Sequence, residues 1–334
     1  MEDQLATIWG VLLGFAVAMY VILDGFDLGI GILFPSTSIE TERDQMMNTI
    51  APFWDGNETW LVLGGGGLLV AFPLAYSILM PALHVPILVM LLGLVLRGVA
   101  FEFRWVAKPH HGWWDRAFFW GSLIAAFSQG CVLGGLVQGV RVENNEFAGG
   151  SLDWLTPFSL FCGAAIVAGY ALLGACWLNL KTTGLLQNRG RRYAKAALAL
   201  VLLFLVVVSL WTPSEIPRIA ERWFAGHNLA FLWPVPLATT GAAVFTYESL
   251  RRRRELAPFL GAIALFLLGF VGLGISIFPY AVPPTITIYS AVAPPASSIF
   301  GLLGVLFVLP LVLVYTAFVY WTFRGKIIPG HGYH

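Results

Sequence analysis

The sequence has few charged residues, few histidines and only three cysteines, and each shortage narrows the classes of protein it can belong to. Charged residues make up 11% of the 334 residues, whereas about 25% is usual in a soluble domain. The formal net charge of +1 provides no basic surface for nucleic acid. Hydrophobic residues reach 58% and the mean hydropathy is +0.79. This composition predicts an integral membrane protein surrounded by membrane lipids.

The cysteines and histidines do not form a recognisable metal or redox motif. Cys131, Cys162 and Cys176 lie in apolar segments without close Cys or His spacing, so we interpret them as small buried hydrophobic residues. His84 is the only histidine inside a predicted span. A haem needs a defined axial ligand, and bis-histidine haems need histidines on facing helices. The sequence therefore predicts no metal site and no cofactor in this chain, with His84 as a lone haem ligand the weaker alternative.

Nine apolar runs are long enough to cross a bilayer as helices. The N-terminal residues MEDQLATIWG contain acidic residues where a secretory signal has basic ones, so we expect the first run to be retained. A run of glycines at 64–67 and Pro73 could interrupt the second span. The nine runs cover approximately residues 7–34, 50–76, 80–103, 117–140, 158–180, 194–212, 229–249, 257–279 and 297–323.

The distribution of Lys and Arg predicts the orientation, because short cytoplasmic loops are enriched in these residues. With nine spans and the N-terminus outside, the outer loops contain only Arg141, Arg218 and Arg222. The cytoplasmic segments contain Arg43, Arg104, Lys108, Arg116, Lys181, Arg189, Arg191, Arg192, Lys195, Arg251 to Arg254, Arg324 and Lys326. We therefore expect an all-α, polytopic transmembrane helix bundle of about nine spans, with the C-terminus cytoplasmic. Residues 1–334 should form a single membrane domain.

Six charged residues lie inside the first three spans, at a similar predicted depth near the cytoplasmic side. An ionised carboxylate at the centre of a membrane helix costs about 3 kcal/mol on insertion scales, so such residues are rare without a partner or a function. Both acid pairs, in the first and second spans, have members three residues apart and therefore share a helix face. The six residues are Asp24, Asp27, Asp55, Glu58, Arg97 and Glu102.

These residues allow a functional and a structural interpretation. The five carboxylates could surround Arg97 and carry protons inward from the cytoplasm, since one structural ion pair does not need five acids. Alternatively, Gly25 and Gly29 could simply allow close helix packing around Asp27, and Arg97 could extend to the membrane surface. Arg97 and Glu102 lie about 140° apart on a helix. Arg97 should therefore act as a structural counter-charge by pairing across to Asp55 or Glu58.

Several motifs that contain these residues resemble subunit II of the cytochrome bd-type quinol oxidases. The motifs occur in the same order as in that family and extend over nearly the whole chain. The compact loops and the WDGNE sequence are most similar to the cyanide-insensitive branch. The matching segments are DGFDLGIG at 24–31, APFWDGNETWL at 51–61, LRGVAFEFR at 96–104, IFPY at 277–280 and VYTAFVYWTFRGKI at 314–327.

The resemblance implies a role within a complex. The chain would be the non-haem subunit of a heterodimeric quinol oxidase in the bacterial cytoplasmic (inner) membrane, which oxidises quinol and reduces O2 to water. The haems, b and d or b only, would be bound by the partner, subunit I, which this chain would stabilise. Small single-helix accessory subunits and a structural quinone are further components that the family implies.

The resemblance also implies roles for individual residues. Asp27 and Asp55 match membrane acids of the family, Glu102 takes an acidic position, and Arg97 matches the family's arginine. Together with Asp24, these acids would form a proton path from the cytoplasm.

Two positions of the second span leave alternatives open. Trp60 matches a tryptophan near the route by which oxygen enters some members, although it could also be an interface anchor. Many relatives have Gln at the position of Glu58, so its place in the proton path is open.

Two other classes of protein compete with this interpretation. A proton-coupled secondary transporter would use similar acids, but the only hint of repeated halves is AFPLAY at 71–76 and IFPYAV at 277–282. The acids are also confined to the first third of the chain. A purely structural assembly subunit would tolerate neutralisation of these acids without loss of turnover.

Overall fold

The computed structural model describes residues 2–107 and 111–327, so Lys108 lies outside the described residues. Most of the chain is helical. Five of the described helices begin with proline, a residue that suits the first helical turn. The helices are α1 Glu2–Leu33, α2 Glu40–Asn48, α3 Trp54–Ala71, α4 Pro73–Val106, α5 Gly112–Gln138, α6 Pro157–Lys181, α7 Gly184–Glu215, α8 Pro217–Phe224, α9 Asn228–Leu232, α10 Pro234–Arg251, α11 Ala257–Ile277, α12 Ile288–Ala291 and α13 Pro295–Thr322.

A 3-10 turn at Phe34–Ser36 follows α1, and the described residues also form two short antiparallel hairpins. Strands β1 (Val142–Glu143) and β2 (Glu146–Phe147) are joined by Asn144 and Asn145, whose φ angles of 51° and 62° suit the tight turn. Strands β3 (Tyr280–Val282) and β4 (Ile286–Thr287) form the second hairpin. A bond from the Val140 amide to the Pro283 carbonyl oxygen (3.0 Å) joins the two hairpin regions at one end of the bundle.

In the part of the chain that the structure describes, eight helical segments are long and apolar enough to cross a membrane, which confirms the prediction of a polytopic helix bundle. They are α1, α4, α5, α6, α7, the α9–α10 segment, α11 and α13. The second predicted span corresponds to α3, which is not among these eight. Its 18 residues include Asp55, Asn57, Glu58 and a run of four glycines, which lower its hydropathy. The chain is thus a multi-pass membrane protein.

The boundary between the second and third predicted spans is wrong. The chain breaks at Phe72, directly before Pro73, because proline begins α4 and disfavours a helical conformation in the residue before it. The helix α4 then continues through Pro81 and Pro86, with non-helical angles at Leu83. The predicted break after residue 76 is therefore absent from the described chain.

Helix α1 packs against α3, α5 and α6 and lies at the centre of the first half of the chain. A Cβ atom at Gly29 would lie 2.0 Å from the Tyr170 carbonyl oxygen, and one at Gly25 would lie 2.7 Å from the Tyr170 ring. The predicted close packing at these two glycines is therefore confirmed, with α6 as the neighbour. Helices α4 and α5 also touch through their backbones, since a Cβ at Gly121 would lie 2.7 Å from the Arg97 amide nitrogen. These contacts determine where the charged side chains of α1 and α4 lie.

Candidate functional site

Arg97 lies at the centre of a buried group of charged residues contributed by α1, α3 and α4. Its side chain is 2% exposed, so it does not extend to the membrane surface. Its Nη1 donates to Asp24 Oδ1 at 2.7 Å, and its Nη2 donates to Glu58 Oε2 at 3.0 Å. The guanidinium carbon lies 5.7 Å from the centroid of the Trp54 ring. The predicted pairing of Arg97 with an acid of the second span is therefore confirmed, with Glu58 as the partner.

Asp27 is fully buried and is bound by a neutral side chain. Its Oδ2 accepts a hydrogen bond of 2.7 Å from Asn57 Nδ2. The Tyr320 hydroxyl in turn donates to Asn57 Oδ1 at 3.0 Å. Within residues 2–107 and 111–327, Asp27 forms no ion pair. Asn57 thus connects a buried carboxyl group on α1 to α13.

We call Asp24, Asp27, Glu58 and Arg97 the acid-rich cluster. With every group ionised, its three carboxylates would exceed its single cation by two charges. Asp24 Oδ2, Asp27 Oδ1 and Arg97 Nε are also buried without a hydrogen-bond partner among the described residues. A buried polar atom left without a partner costs about 1–3 kcal/mol. The acid-rich cluster therefore combines an excess of negative charge with carboxyl oxygens that lack a hydrogen bond among the described residues.

The expectation that all five carboxylates surround Arg97 is wrong for Asp55 and Glu102. Both are exposed on the surface of this chain. Glu102 points away because it is about 140° from Arg97 around α4. Asp55 lies in the first turn of α3, where the buried side chain that faces α1 is Asn57. Asp55 therefore lies beside the acid-rich cluster in sequence but does not bond to Arg97.

Trp60 is buried between α1, α3 and α13. It is 1% exposed, packs with Ala16 and Tyr20, and meets Phe15 edge to face at 5.8 Å between ring centroids. Its Nε1 has no hydrogen-bond partner in the described part of the chain. Interface tryptophans usually keep this group in contact with water or headgroups, so the anchor interpretation is disfavoured. The role of Trp60 in oxygen access stays a prediction.

Sequence reasoning missed a chain of neutral polar residues that reaches the acid-rich cluster. The Tyr170 hydroxyl donates to Gln129 Oε1 at 2.6 Å, and Gln129 Nε2 donates to the Tyr20 oxygen at 2.6 Å. Tyr20 lies one helical turn before Asp24 on α1. The available signal was the amide side chain of Gln129, which lies within an apolar stretch of the fifth helix.

A second buried ion cluster was also missed, because its members were interpreted only as loop charges. Arg104 donates through Nε to Asp115 Oδ1 at 2.6 Å and through Nη1 to Asp44 Oδ1 at 2.5 Å. Arg43 Nη1 donates to Asp115 Oδ2 at 2.8 Å. We call Arg43, Asp44, Arg104 and Asp115 the balanced cluster, because it has two cations and two carboxylates. It joins α2 to α4 and α5, and its signal was the pair of opposite charges, Arg104 and Asp115, only eleven residues apart in sequence.

The described histidines do not provide a haem site. His84 is exposed, and its Nδ1 lies 2.7 Å from the carbonyl oxygen of Pro81 in its own helix. Within the described ranges, no group of three or more His, Cys, Asp or Glu residues is arranged to hold a metal ion.

Comparison with known proteins agrees with the described architecture. Residues 5–323 match the family described as cytochrome bd terminal oxidase subunit II. The chain is 28% identical to the cytochrome bd-I ubiquinol oxidase subunit 2 of Escherichia coli strain K12, over 97% of this chain and 96% of that relative. It is 29% identical to the cytochrome bd ubiquinol oxidase subunit 2 of Bacillus subtilis strain 168, over 97% of both chains.

A solved structure shares the fold. The bd oxidase from Geobacillus thermodenitrificans superposes with a TM-score of 0.78 at 20% identity, over 96% of this chain and 98% of that chain. The family match covers almost every element described above, including the three helices that carry the acid-rich cluster. The chain belongs to the family of subunit II of the cytochrome bd terminal oxidases, which are subunits of an oxidoreductase complex that reduces O2.

Proposed function

We propose that this chain carries protons from the cytoplasm toward an oxygen-reducing site in its partner, subunit I. The observation that carries the proposal is the acid-rich cluster, in which three buried or half-buried carboxyl groups are accompanied by one arginine that bonds to two of them. Carboxyl groups in excess of their cations can hold a proton at membrane depth, and acids inside membrane segments commonly serve as proton relays. Family membership leaves no support for the transporter alternative.

The exposure of the acids decreases along the proposed route. Asp55 is exposed, the Glu58 side chain is 28% exposed, and the Asp24 side chain is 1% exposed. Asp55 would pass protons between the surface and Glu58, and its exposure leaves it available to subunit I. Asp27 would hold a proton beside Asp24, with Asn57 keeping its carboxyl group in position. Glu102 would act as a surface acid near the start of the route.

Arg97 would serve as a fixed counter-charge rather than a proton carrier. Its two bonds to Asp24 and Glu58 hold carboxylates of α1 and α3 against α4. A guanidinium group stays charged in proteins, so it does not release its own proton. Its role would be to limit the negative charge of the acid-rich cluster without neutralising all of it.

The remaining components of the complex are assigned from the family. Haems b and d, or b only, would be held by subunit I, since the described histidines of this chain do not fit a haem. When bound there, the haems would supply the electron transfer and oxygen chemistry. A structural quinone, small accessory subunits and stabilisation of subunit I stay predictions, as do the bacterial inner membrane, the cyanide-insensitive branch and the N-outside orientation. Trp60, surrounded by apolar side chains, would line the oxygen route.

Neutralising the surface and half-buried acids tests the proposal. Asp55→Asn and Glu58→Gln should each slow quinol-driven oxygen consumption by on the order of 100-fold, the lower range for a positioned acid–base group. Haem content and complex yield should be unchanged. Glu143→Gln, on the exposed hairpin at residues 142–147, is the matched control. Normal turnover in both variants would contradict the proposed route and favour a purely structural subunit.

A further inference from the structure

A polar cavity of about 310 Å³ lies beside α8, away from the proposed proton route. It is at the end of the bundle that carries the hairpins, since Tyr280 of β3 forms part of its wall. Its charged lining comes from α8, and its uncharged polar lining comes from the start of α9, the end of α11 and β3. The polar lining residues are Arg218, Glu221, Arg222, Asn228, Ser276 and Tyr280.

Two guanidinium groups in this cavity are held in place by backbone oxygens. Arg218 Nη2 donates to the Val137 carbonyl oxygen at 2.6 Å, and Arg222 Nη2 donates to the Phe278 carbonyl oxygen at 2.7 Å. Neither arginine forms an ion pair within residues 2–107 and 111–327. A guanidinium group has five N–H donors, so each arginine keeps donors for a ligand. Glu221 is the only acid in the lining, which leaves an excess of positive charge.

Basic residues are rare in the loops at this end of the bundle. Of the 19 Lys and Arg residues, only Arg141, Arg218 and Arg222 fall in the loops predicted to be outside. Arg141 is paired with Glu143 at 2.8 Å. The two arginines without an acidic partner thus share one cavity. Their charge is available to an anion rather than to another side chain.

The cavity lies in a setting typical of a membrane surface. Helix α8 is amphipathic: Ile219 is buried, whereas Arg218, Glu221 and Arg222 line the polar cavity, and Phe224 at its end is 57% exposed. Trp223 of the same helix donates to Ser276 Oγ at 2.9 Å, which fixes α8 against α11. Aromatic side chains with one polar and one apolar contact are enriched at the membrane–water boundary. An amphipathic helix of this kind lies in the headgroup region.

An apolar surface continues from the cavity along α11. Phe278 is part of the cavity wall and is 48% exposed, and Val271 is also 48% exposed. A ligand with a phosphate group in the cavity could therefore extend hydrocarbon chains over these residues. Free phosphate would use the two arginines but not this surface.

We propose that this cavity binds the phosphate group of an anionic phospholipid from the leaflet at this end of the bundle. Arginine matches phosphate geometry through paired N–H donors, and Arg218 and Arg222 supply two such groups on one short helix. The hydroxyl group of Tyr280 and the amide of Asn228 provide further donors in the lining. The lipid would attach α8 to the membrane. This proposal does not depend on the proton route.

Lipid binding by the delipidated complex tests the proposal. Native mass spectrometry would titrate the full chain, purified with its partner, with phosphatidylglycerol. Arg222→Gln should weaken binding at one site by about tenfold, the effect of losing one charged hydrogen-bonding group. Arg141→Gln is the matched control, because this arginine lies at the same end but is already paired. Equal binding by both variants would overturn the proposal.

One further variant and two further ligands identify what the cavity binds and separate a loss of binding from a loss of folding. Arg218 bonds to the end of α5, so Arg218→Lys, which keeps the positive charge, is used in place of a neutral variant. The Arg218→Lys variant should bind phosphatidylglycerol more weakly than the unmodified chain and more tightly than Arg222→Gln. Binding by Arg218→Lys that equals the unmodified chain would contradict phosphate recognition by this arginine. Diacylglycerol with the same acyl chains should not occupy the site, and occupancy would contradict phosphate recognition altogether. Inorganic phosphate that binds as tightly as phosphatidylglycerol would identify free phosphate and overturn the lipid proposal.

Discussion

The acid-rich cluster and the balanced cluster lie on the same helix, α4, but differ in their charge balance. The first contains three carboxyl groups and one arginine, Arg97, which bonds to two of them, whereas the second contains two carboxyl groups and two arginines, Arg104 and Arg43. In the balanced cluster, Asp115 has a cation on each oxygen. In the acid-rich cluster, Asp24 and Asp27 each keep one oxygen without a hydrogen bond from any residue that the structure describes.

This difference separates a structural ion network from a group that can exchange a proton. A buried ion pair is tolerated when each charge has its partner and its hydrogen bonds. In the balanced cluster, cations and carboxylates are equal in number and both oxygens of Asp115 accept from arginines, so the cluster holds the loop helix α2 against α4 and α5. The acid-rich cluster has two more carboxylates than cations, and in the proposed route it would hold a proton. Charge balance, rather than burial alone, is what marks the candidate site.

Removing the cation of the acid-rich cluster should have the largest effect on stability. Arg97→Leu should destabilise the chain by about 3–5 kcal/mol, because Asp24 and Glu58 would lose their buried counter-charge. Complex yield and the midpoint of thermal unfolding would report the loss. Adding Asp24→Asn to Arg97→Leu should restore part of the yield. Normal assembly of Arg97→Leu would show that Arg97 does not hold the cluster together.

The corresponding change in the balanced cluster should have a smaller effect and leave turnover unchanged. Arg104→Leu should cost about 2–3 kcal/mol, below the usual range for a broken buried pair, because Arg43 still binds Asp115 and the Asp44 side chain is 23% exposed. Oxygen consumption per haem in the assembled variant should match that of the unmodified complex. A loss of turnover at normal haem content would place the balanced cluster in the proton route as well and remove the contrast.

The exposed ion pair between Lys326 and Glu255 should make the smallest contribution to stability of the three. The hydrogen bonds from Lys326 and then Gln187 hold the pKa of the Glu255 carboxyl below its usual range. A lowered folded-state pKa adds stability that is present above the unfolded pKa of about 4.3 and is lost as the pH falls through the folded pKa. Because Glu255 is exposed and screened by water, this contribution should be only a few tenths of a kcal/mol.

Thermal unfolding across pH checks that expectation. Glu255→Gln should lower the unfolding midpoint slightly at pH 7, and the difference from the unmodified chain should disappear in acid. Glu146→Gln, on the exposed hairpin, should have no such pH-dependent difference. A Glu255 effect as large as that of Arg97→Leu would contradict the ranking by burial.

The helices and the identity of the charged site could be predicted from sequence, but the membership of each cluster could not. Long apolar runs can be recognised in the sequence, and charged residues inside them stand out because burying a charge in a membrane is costly. Which face of α3 packs on α1 depends on tertiary contacts, so Asn57 rather than Asp55 meets Asp27. Neutral residues such as Gln129 carry no comparable insertion cost and give a weak signal. Arg104 was missed because a basic residue at a helix end also fits the ordinary loop-charge pattern.

The central claim is that the acid-rich cluster holds a proton, and infrared spectroscopy tests it most directly. The assembled complex should show the C=O stretch of a protonated carboxyl group, shifted in D2O. Asp27→Asn should abolish this band, because Asp27 is the fully buried member without a cation, whereas Asp115→Asn in the balanced cluster should leave it unchanged. A spectrum without any protonated carboxyl band, or a band that survives Asp27→Asn unaltered, would contradict the account.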